Sequence, residues 1–337
     1  MKLGLIWGYW GQLPPPNLIE TTQEAERLGY DSVWTSEAWG SDAFSPLAYL
    51  AGHTERIKLG TAVVQLAART PTATAMHVLT LDHLSGGRVI LGLGVSGPQV
   101  VEGWYGQPSN RPLARTREYV EIIRRALARE EPVEFDGEFF QHPYHGPGSV
   151  GLGKPLKPIT HPLRREVPIY LGAEGPKNVT QTAEIADGWL PLYYSPHHQE
   201  VYADQLAGAA DDFEVAAMVQ KNINDYLDAA LLPVKMMVGL YIGGMGAKGQ
   251  NYHTKLMERF GYVDEALHIQ QLFMDGRRDE AIAAVPDEFA DAISLCGPLD
   301  RVRERLEPWK SSPVTTLLVT AGGDQQLLRT AAELVLD

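Results

Sequence analysis

The chain has 337 residues, 44% hydrophobic and 21% charged, the composition of an ordinary globular protein long enough for one large barrel or two smaller domains. Its 42 acidic and 29 basic residues give a formal net charge of -13, and no stretch concentrates Lys and Arg, which excludes nucleic acid or an anionic membrane as the main partner. The single cysteine, Cys296, excludes an intramolecular disulfide framework, and its setting in ISLCGP predicts a buried structural thiol.

Strands and helices alternate from the start. KLGLIWG (2–8) reads as a strand, 16–29 as a helix ending on glycine, and DSVWTSE (31–37) as a second strand. PLAYLAGHT (46–54) is a helix, IKLGTAVV (57–64) a strand, PTATAMHVLTLDHLSGG (71–87) a helix with a glycine stop, and RVILGLG (88–94) a strand. An amphipathic helix spans 112–129, with Ala114, Tyr119, Ile122, Ile123 and Ala126 on one side. PIYLGA (168–173) and GWLPLY (188–193) are further strands, separated by a helix that starts at Pro176. FEVAAMV (213–219) and VKMMVGLYIGG (234–244) both qualify as the seventh strand by composition. A helix at 300–309, TTLLVTA (315–321) and a helix from Asp324 close the chain.

About eight strands, each followed by a helix, predict a single-domain α/β protein, a parallel (β/α)₈ TIM barrel over residues 1–337, with a doubly wound open sheet as the alternative. Two segments read as insertions at the active-site mouth. One is 131–165, where VEFDGEFF carries an Asp-Gly hairpin turn, and the other is 243–290. The N-terminal MKLGLIWGYW has no long apolar region or cleavage motif, and no later run reaches about eighteen uninterrupted apolar residues, which predicts a cytoplasmic protein.

Three features bear on chemistry. In GAEGPKNV the strand ends in a tight turn and Pro176 opens a helix, so backbone amides near 175–178 face outward unpaired, which raises the question of what anion, if any, they hold. GLGVSG (92–97) has the spacing of a dinucleotide fingerprint, but Pro98 interrupts it and Glu118, the acidic residue at the expected distance, falls inside a helix. Its small residues suit close approach of a flat ligand to the backbone. The histidines form no metal-ligand pattern, so no metal is expected: His142 with His145 and His197 with His198 are loop pairs beside prolines. Trp7, Tyr9, Trp10, Trp34 and Trp39 put aromatics near strand ends, as core or as a stacking surface.

LGTAV (59–63), LDHLSGGRVILGLGVSGP (81–98) and AEGPKNVTQTAEIADGW (173–189) together resemble the luciferase-like flavin and deazaflavin oxidoreductases, a (β/α)₈ family, over nearly the whole chain. The A-x-G-P-K turn (173–177) is similar to the subgroup that uses coenzyme F420, whereas FMN-dependent members more often carry a serine there. GPQVVEGWYG (97–106), PLARTREYVEI (112–122) and YIGGMGAKGQNYH (241–253) resemble actinobacterial deazaflavin-dependent reductases.

The resemblance implies F420 as cofactor, with FMN as the alternative, a small-molecule substrate, and a homodimer or higher homo-oligomer. It implies a non-prolyl cis peptide at Ala62-Val63 with Val63 behind the ring, and Ser36, Glu37 and Ala38 at the ring edge. Gln65 would lie by the ribityl chain, Val95, Ser96 and Gly97 beside the cofactor, and Gly172, Ala173, Glu174, Gly175, Pro176 and Lys177 around its phosphate. It also implies FEVAAMV as the seventh strand and 225–243 as the helix after it. One departure stands out: several relatives have Asp-His where this chain has Glu37-Ala38, and that histidine handles the substrate proton. Ala38 cannot, which leaves Glu37, Tyr9, His253, another loop residue or solvent. The implied reaction is hydride transfer between the deazaflavin C5 and a carbonyl, enone or imine. The alternatives are an FMN monooxygenase and a barrel that only binds the deazaflavin.

Overall fold

A computed structural model describes residues 1–246 and 251–336; residues 247–250, within the second expected insertion, lie outside the described residues. Eight parallel strands pair in sequence: β1 (Lys2–Gly8), β2 (Ser32–Thr35), β3 (Lys58–Thr61), β4 (Val89–Gly94), β5 (Ile169–Gly172), β6 (Gly188–Leu190), β7 (Glu214–Ile223) and β8 (Thr316–Val319). β8 pairs back on β1, with Lys2 opposite Thr316. That last pairing separates a closed barrel from a doubly wound sheet, which would leave both outer strands with an open edge.

A helix follows each strand: α1 (Leu18–Arg27), α2 (Phe44–Ala51), α3 (Pro71–Ser85), α4 (Pro112–Ala128), α5 (Pro176–Ile185), α6 (Glu200–Leu206), α7 (Leu227–Gly244) and α8 (Gln325–Val335). Local sequence sets their ends. Thr70 caps α3 by accepting the Ala73 amide at 3.2 Å, and Gly86 ends it in the left-handed region at φ 68°. The seventh strand is the FEVAAMV segment. VKMMVGLYIGG lies in α7, and it reads like a strand because the helix is apolar on several sides: β-carbons at Gly243 and Gly239 would come within 2.5 Å of Phe273 and 3.2 Å of Ile282. At 18 residues and mean hydropathy 1.3, α7 is the one helix among the described residues long and apolar enough to cross a membrane.

Strand alternation divides the core in two. Outward residues such as Leu91, Leu93, Leu317 and Val319 pack under the helices. Inward residues Ile6, Trp34, Ile90, Tyr170, Leu190, Ala216 and Leu318 form a separate cluster inside the barrel. Each of seven strands supplies one member, and β3 supplies Gly60. The Trp34 indole fills that space: a β-carbon on Gly60 would stand 2.3 Å from its ring. Trp34 donates Nε1 to Ser32 Oγ at 2.8 Å and lies 5.9 Å from the Tyr170 ring.

The two insertions occupy different places. Segment 131–165 follows α4, which runs back toward the N-terminal ends of the strands. Its hairpin (Phe135–Asp136 with Gln141–His142) lies on the outer face of α4, where Glu118 accepts the amides of Glu138, Phe139 and Phe140. Its end reaches the base of α3 through His161 to His83 and Arg164 to Asp82. The hairpin tip reaches the start of α4 through Glu138 on Arg111 and Phe139 under Arg115, so the segment runs along the outer wall between the two ends of the barrel. Segment 243–290 begins at the end of α7 and stands at the C-terminal ends of β5 and β6, through His253 and Arg259 on Glu174.

Gly60→Ala is expected to lower unfolding stability by about 3 kcal/mol, because the added methyl must displace a buried indole. The midpoint of urea unfolding measures it, and an unchanged midpoint would contradict the packing described here.

Candidate active site

The open end of the barrel is built around a bulge after β3. The Ala62-Val63 peptide is cis. Ala62 donates its amide to Thr35 O at 2.7 Å and accepts the Ser36 hydroxyl at 2.6 Å, while Glu37 donates its amide to Val63 O at 3.2 Å. The Val63 side chain thereby faces the barrel interior between two glycines. A β-carbon on Gly94 would meet Val63 Cγ2 at 2.4 Å, and one on Gly172 would meet Cγ1 at 3.3 Å. The glycines in RVILGLG and PIYLGA are thus inward positions that give this valine room.

Glu37 belongs to the bulge. Its Oε1 accepts the Gln65 amide at 3.1 Å and Arg69 Nη1 at 3.0 Å, its Oε2 pairs with Arg69 Nη2 at 2.7 Å, and its carbonyl accepts Gln65 Nε2 at 2.9 Å. The side chain is 3% exposed. Both oxygens are committed to holding the segment after β3 against the end of β2, which is a positioning arrangement. Gln65 is held in the same network.

Val95, Ser96 and Gly97 follow β4, with Ser96 at φ 61°, and lead into the short helix Pro98–Gly103. In the next turn Ala173 accepts the buried Trp189 indole at 2.8 Å, fixing where β5 ends. Gly175 is extended and caps α5, accepting the amides of Asn178 and Val179 at 2.9 and 3.0 Å. Among the described residues, the amides of Glu174, Gly175 and Lys177 meet no protein acceptor, and a β-carbon at Gly175 would meet nothing within 4 Å. The Lys177 side chain is exposed and in no ion pair among the described residues. Pro176 removes one donor at the helix start and leaves the neighbouring amides facing outward.

The insertion after β7 completes the rim. Asn251 donates its side-chain amide to Tyr241 O and Ile242 O at 2.7 and 2.9 Å and accepts the His253 amide at 2.8 Å, so it ties the end of α7 to the helix Tyr252–Arg259. His253 Nδ1 then stands 2.9 Å from Glu174 Oε2, and Arg259 bonds the Glu174 carbonyl. The His253 ring packs edge-on against Tyr193 and Tyr241. Burial, with Tyr241 and Glu174 close by, pushes the Tyr193 phenol well up. Burial also raises Tyr241, whose hydroxyl meets that of Tyr9. Five polar side chains, Tyr9, Tyr193, Tyr241, His253 and Glu174, therefore converge on one side of the mouth. No group of three or more metal-ligating side chains occurs among the described residues.

Residues 7–316 match the luciferase-like monooxygenase family. The chain belongs to that family. A Mycobacterium tuberculosis protein named "putative coenzyme F420-dependent oxidoreductase" is 52% identical, over 98% of both chains. The 5,10-methylenetetrahydromethanopterin reductase of Archaeoglobus fulgidus is 32% identical over 87% of this chain and 86% of its own. Among solved structures, the coenzyme F420-dependent tetrahydromethanopterin reductase of Methanopyrus kandleri shares the fold at a TM-score of 0.79 and 24% identity, covering 99% of this chain and 98% of that one. Within the luciferase-like family, then, this chain groups with coenzyme F420-dependent oxidoreductases.

Two luciferase-like site features escape a reading of the sequence. Arg69 has no local pattern linking it to Glu37, 32 residues earlier. The Glu174–His253 pair joins segments 79 positions apart, and its only local sign is Asn251, a residue type that caps helices, just ahead of Tyr252-His253.

Arg69→Met is expected to destabilise the protein by about 3 kcal/mol, since it leaves the Glu37 carboxylate buried without its cation. Combining it with Glu37→Met should recover much of that loss in a double-mutant cycle read by denaturant unfolding. Additive losses would show that the two side chains are not coupled.

Proposed function

We propose that this luciferase-like enzyme is a coenzyme F420-dependent oxidoreductase that moves a hydride between the deazaflavin C5 and a small uncharged substrate, a carbonyl, enone or imine. The observation that carries the proposal is the ledge formed by Val63 between Gly94 and Gly172, one strand away from a turn with unpartnered amides at Glu174, Gly175 and Lys177. A flat ring can rest on the first and a phosphate on the second. The names of the M. tuberculosis and A. fulgidus relatives support the choice of cofactor. The same proposal describes a cytoplasmic homo-oligomer acting on a small molecule.

Bound F420 supplies a hydride at C5; the chain supplies position and protons. Val63 backs the ring, with Ser36 and Ala38 at its edge. Glu37 keeps the bulge in shape through Arg69 and is not the acid. His253 takes that role in place of the residue missing at Ala38: Glu174 Oε2 stands 2.9 Å from Nδ1, and Nε2, which bonds no described residue, exchanges the proton that accompanies hydride transfer. Tyr9 and Tyr241 hold the substrate oxygen or nitrogen near it. The mouth favours an uncharged substrate, because Arg69 is engaged by Glu37 and Arg259 by the Glu174 carbonyl and the Tyr202 ring, while Trp39 and Trp104 on the rim loops are exposed.

Titration with F420 and with FMN, read by quenching of each cofactor's fluorescence, should give saturable micromolar or tighter binding of F420 alone. Preference for FMN would replace this reading with flavin monooxygenase chemistry.

With reduced F420 and cyclohex-2-enone, His253→Gln is expected to lower kcat at least about 100-fold while leaving the F420 dissociation constant unchanged. A variant with full kcat would remove His253 from the reaction.

A further inference from the structure

Beside the proposed cofactor ledge, on its outer flank, lies a narrow cleft between the residues after β3, the loop after β4 and the start of α4. Ser96, Val101, Ser109, Arg115 and Tyr252 are among its walls. Its interior volume is about 30 Å³, room for one or two waters or a single carboxylate and too little for a ring system. The cleft is therefore not where the deazaflavin ring sits, although Ser96 borders both places.

Arg115 is the unusual member. Its Nε is buried and has no hydrogen-bond partner, and among the described residues its guanidinium forms no ion pair. What holds it is the Phe139 ring, with the guanidinium carbon 4.7 Å from the ring centroid. The nearby carboxylate that could neutralise it, Glu118, is used by the amides of Glu138, Phe139 and Phe140 at 2.8, 2.9 and 3.1 Å. The neighbouring Arg111 is paired with Glu138. A planar cation left with free N–H groups in a half-closed cleft is costly unless an anion visits it, because a buried donor without an acceptor loses its hydration and gains nothing. Stacking on Phe139 also restricts how the guanidinium can turn, so its free N–H groups are presented in a fixed direction.

We infer that the Arg115 cleft binds a carboxylate of the cofactor's side chain, beyond the phosphate, and so sets affinity for the cofactor independently of the ring. The inference rests on the F420 reading above. F420 is chemically suited to it, since its ribityl chain continues through a phosphate into a lactyl-oligoglutamyl tail with several carboxylates. Ser96 offers a hydroxyl to the same anion, while the Ser109 hydroxyl donates to Glu102 at 2.5 Å.

The test compares three ligands by fluorescence quenching: the deazaflavin with its ribityl chain only, the phospholactyl form without glutamates, and the oligoglutamyl form. Each is titrated into wild type, Arg115→Gln and Arg115→Lys, with thermal melts to check folding. Arg115→Gln is expected to weaken the charged forms about tenfold or more, to leave the chain-only form unchanged, and to be partly rescued by Arg115→Lys. A loss confined to the oligoglutamyl form assigns the cleft to a glutamyl carboxylate, and a loss shared with the phospholactyl form assigns it to the lactyl carboxylate. Equal affinities in wild type and Arg115→Gln, or an equal loss for all three ligands, would overturn the inference while leaving the F420 reading intact. Failure of wild type to bind any of the three would overturn both.

Discussion

The interior of an eight-stranded barrel must be filled by side chains, and here the filling depends on one tryptophan. Trp34 occupies the space that β3 leaves open at Gly60, so Trp34, the six other interior residues and a glycine together close the barrel beneath the mouth. The same logic continues one layer up. Gly94 and Gly172 leave space into which Val63 projects, and the site begins at that valine. Large-against-small pairing thus gives a solid floor below and a shaped ledge above, from the same alternation along the strands.

Around the ledge the polar groups fall into two sets with different tasks. Glu37 pairs with Arg69 and accepts the Gln65 amide, and its carbonyl accepts the Gln65 side chain, so this set braces the segment after β3, although Glu37 Oε2 and Gln65 Oε1 lack a hydrogen bond of good geometry. The side chains of Glu174 and His253 bond no backbone group among the described residues. The Glu174 Oε2 to His253 Nδ1 distance is short, yet neither atom meets a partner with good hydrogen-bond geometry, although both are buried. Groups in the first set fix backbone, and groups in the second keep bonding capacity that a ligand can use. The carboxylate that looks most catalytic in the sequence belongs to the first set.

Much of the architecture is legible in the chain because each strand of a parallel barrel is a short apolar run and each helix carries its own start and stop. Thr70 with Pro71 and the Gly86-Gly87 stop define α3 almost to the residue. What local pattern cannot supply is direction of travel. Segments 131–165 and 243–290 both look like long insertions after a helix, yet the first runs along the outer face of α4 to the barrel base and the second stands over the ends of β5 and β6. The same limit hides the Glu37–Arg69 and Glu174–His253 pairs, since a contact between distant segments leaves no periodic trace in either.

Net charge points the wrong way for this site. A chain with a formal charge of -13 gives no long-range attraction to a polyanionic cofactor, and physiological salt screens what field there is beyond about 8 Å. Affinity for such a ligand must come from donors at contact distance. The amides of Glu174, Gly175 and Lys177 and the Arg115 guanidinium are such donors, because each lacks an acceptor among the described residues. At Arg115, whose Nε is buried, restricted access to water makes a bond to an anion stronger than the same bond in solvent. The acidic surface then serves solubility, and recognition is left to a few fixed N–H groups whose positions follow from Pro176 at a helix start and from Phe139 beneath a guanidinium.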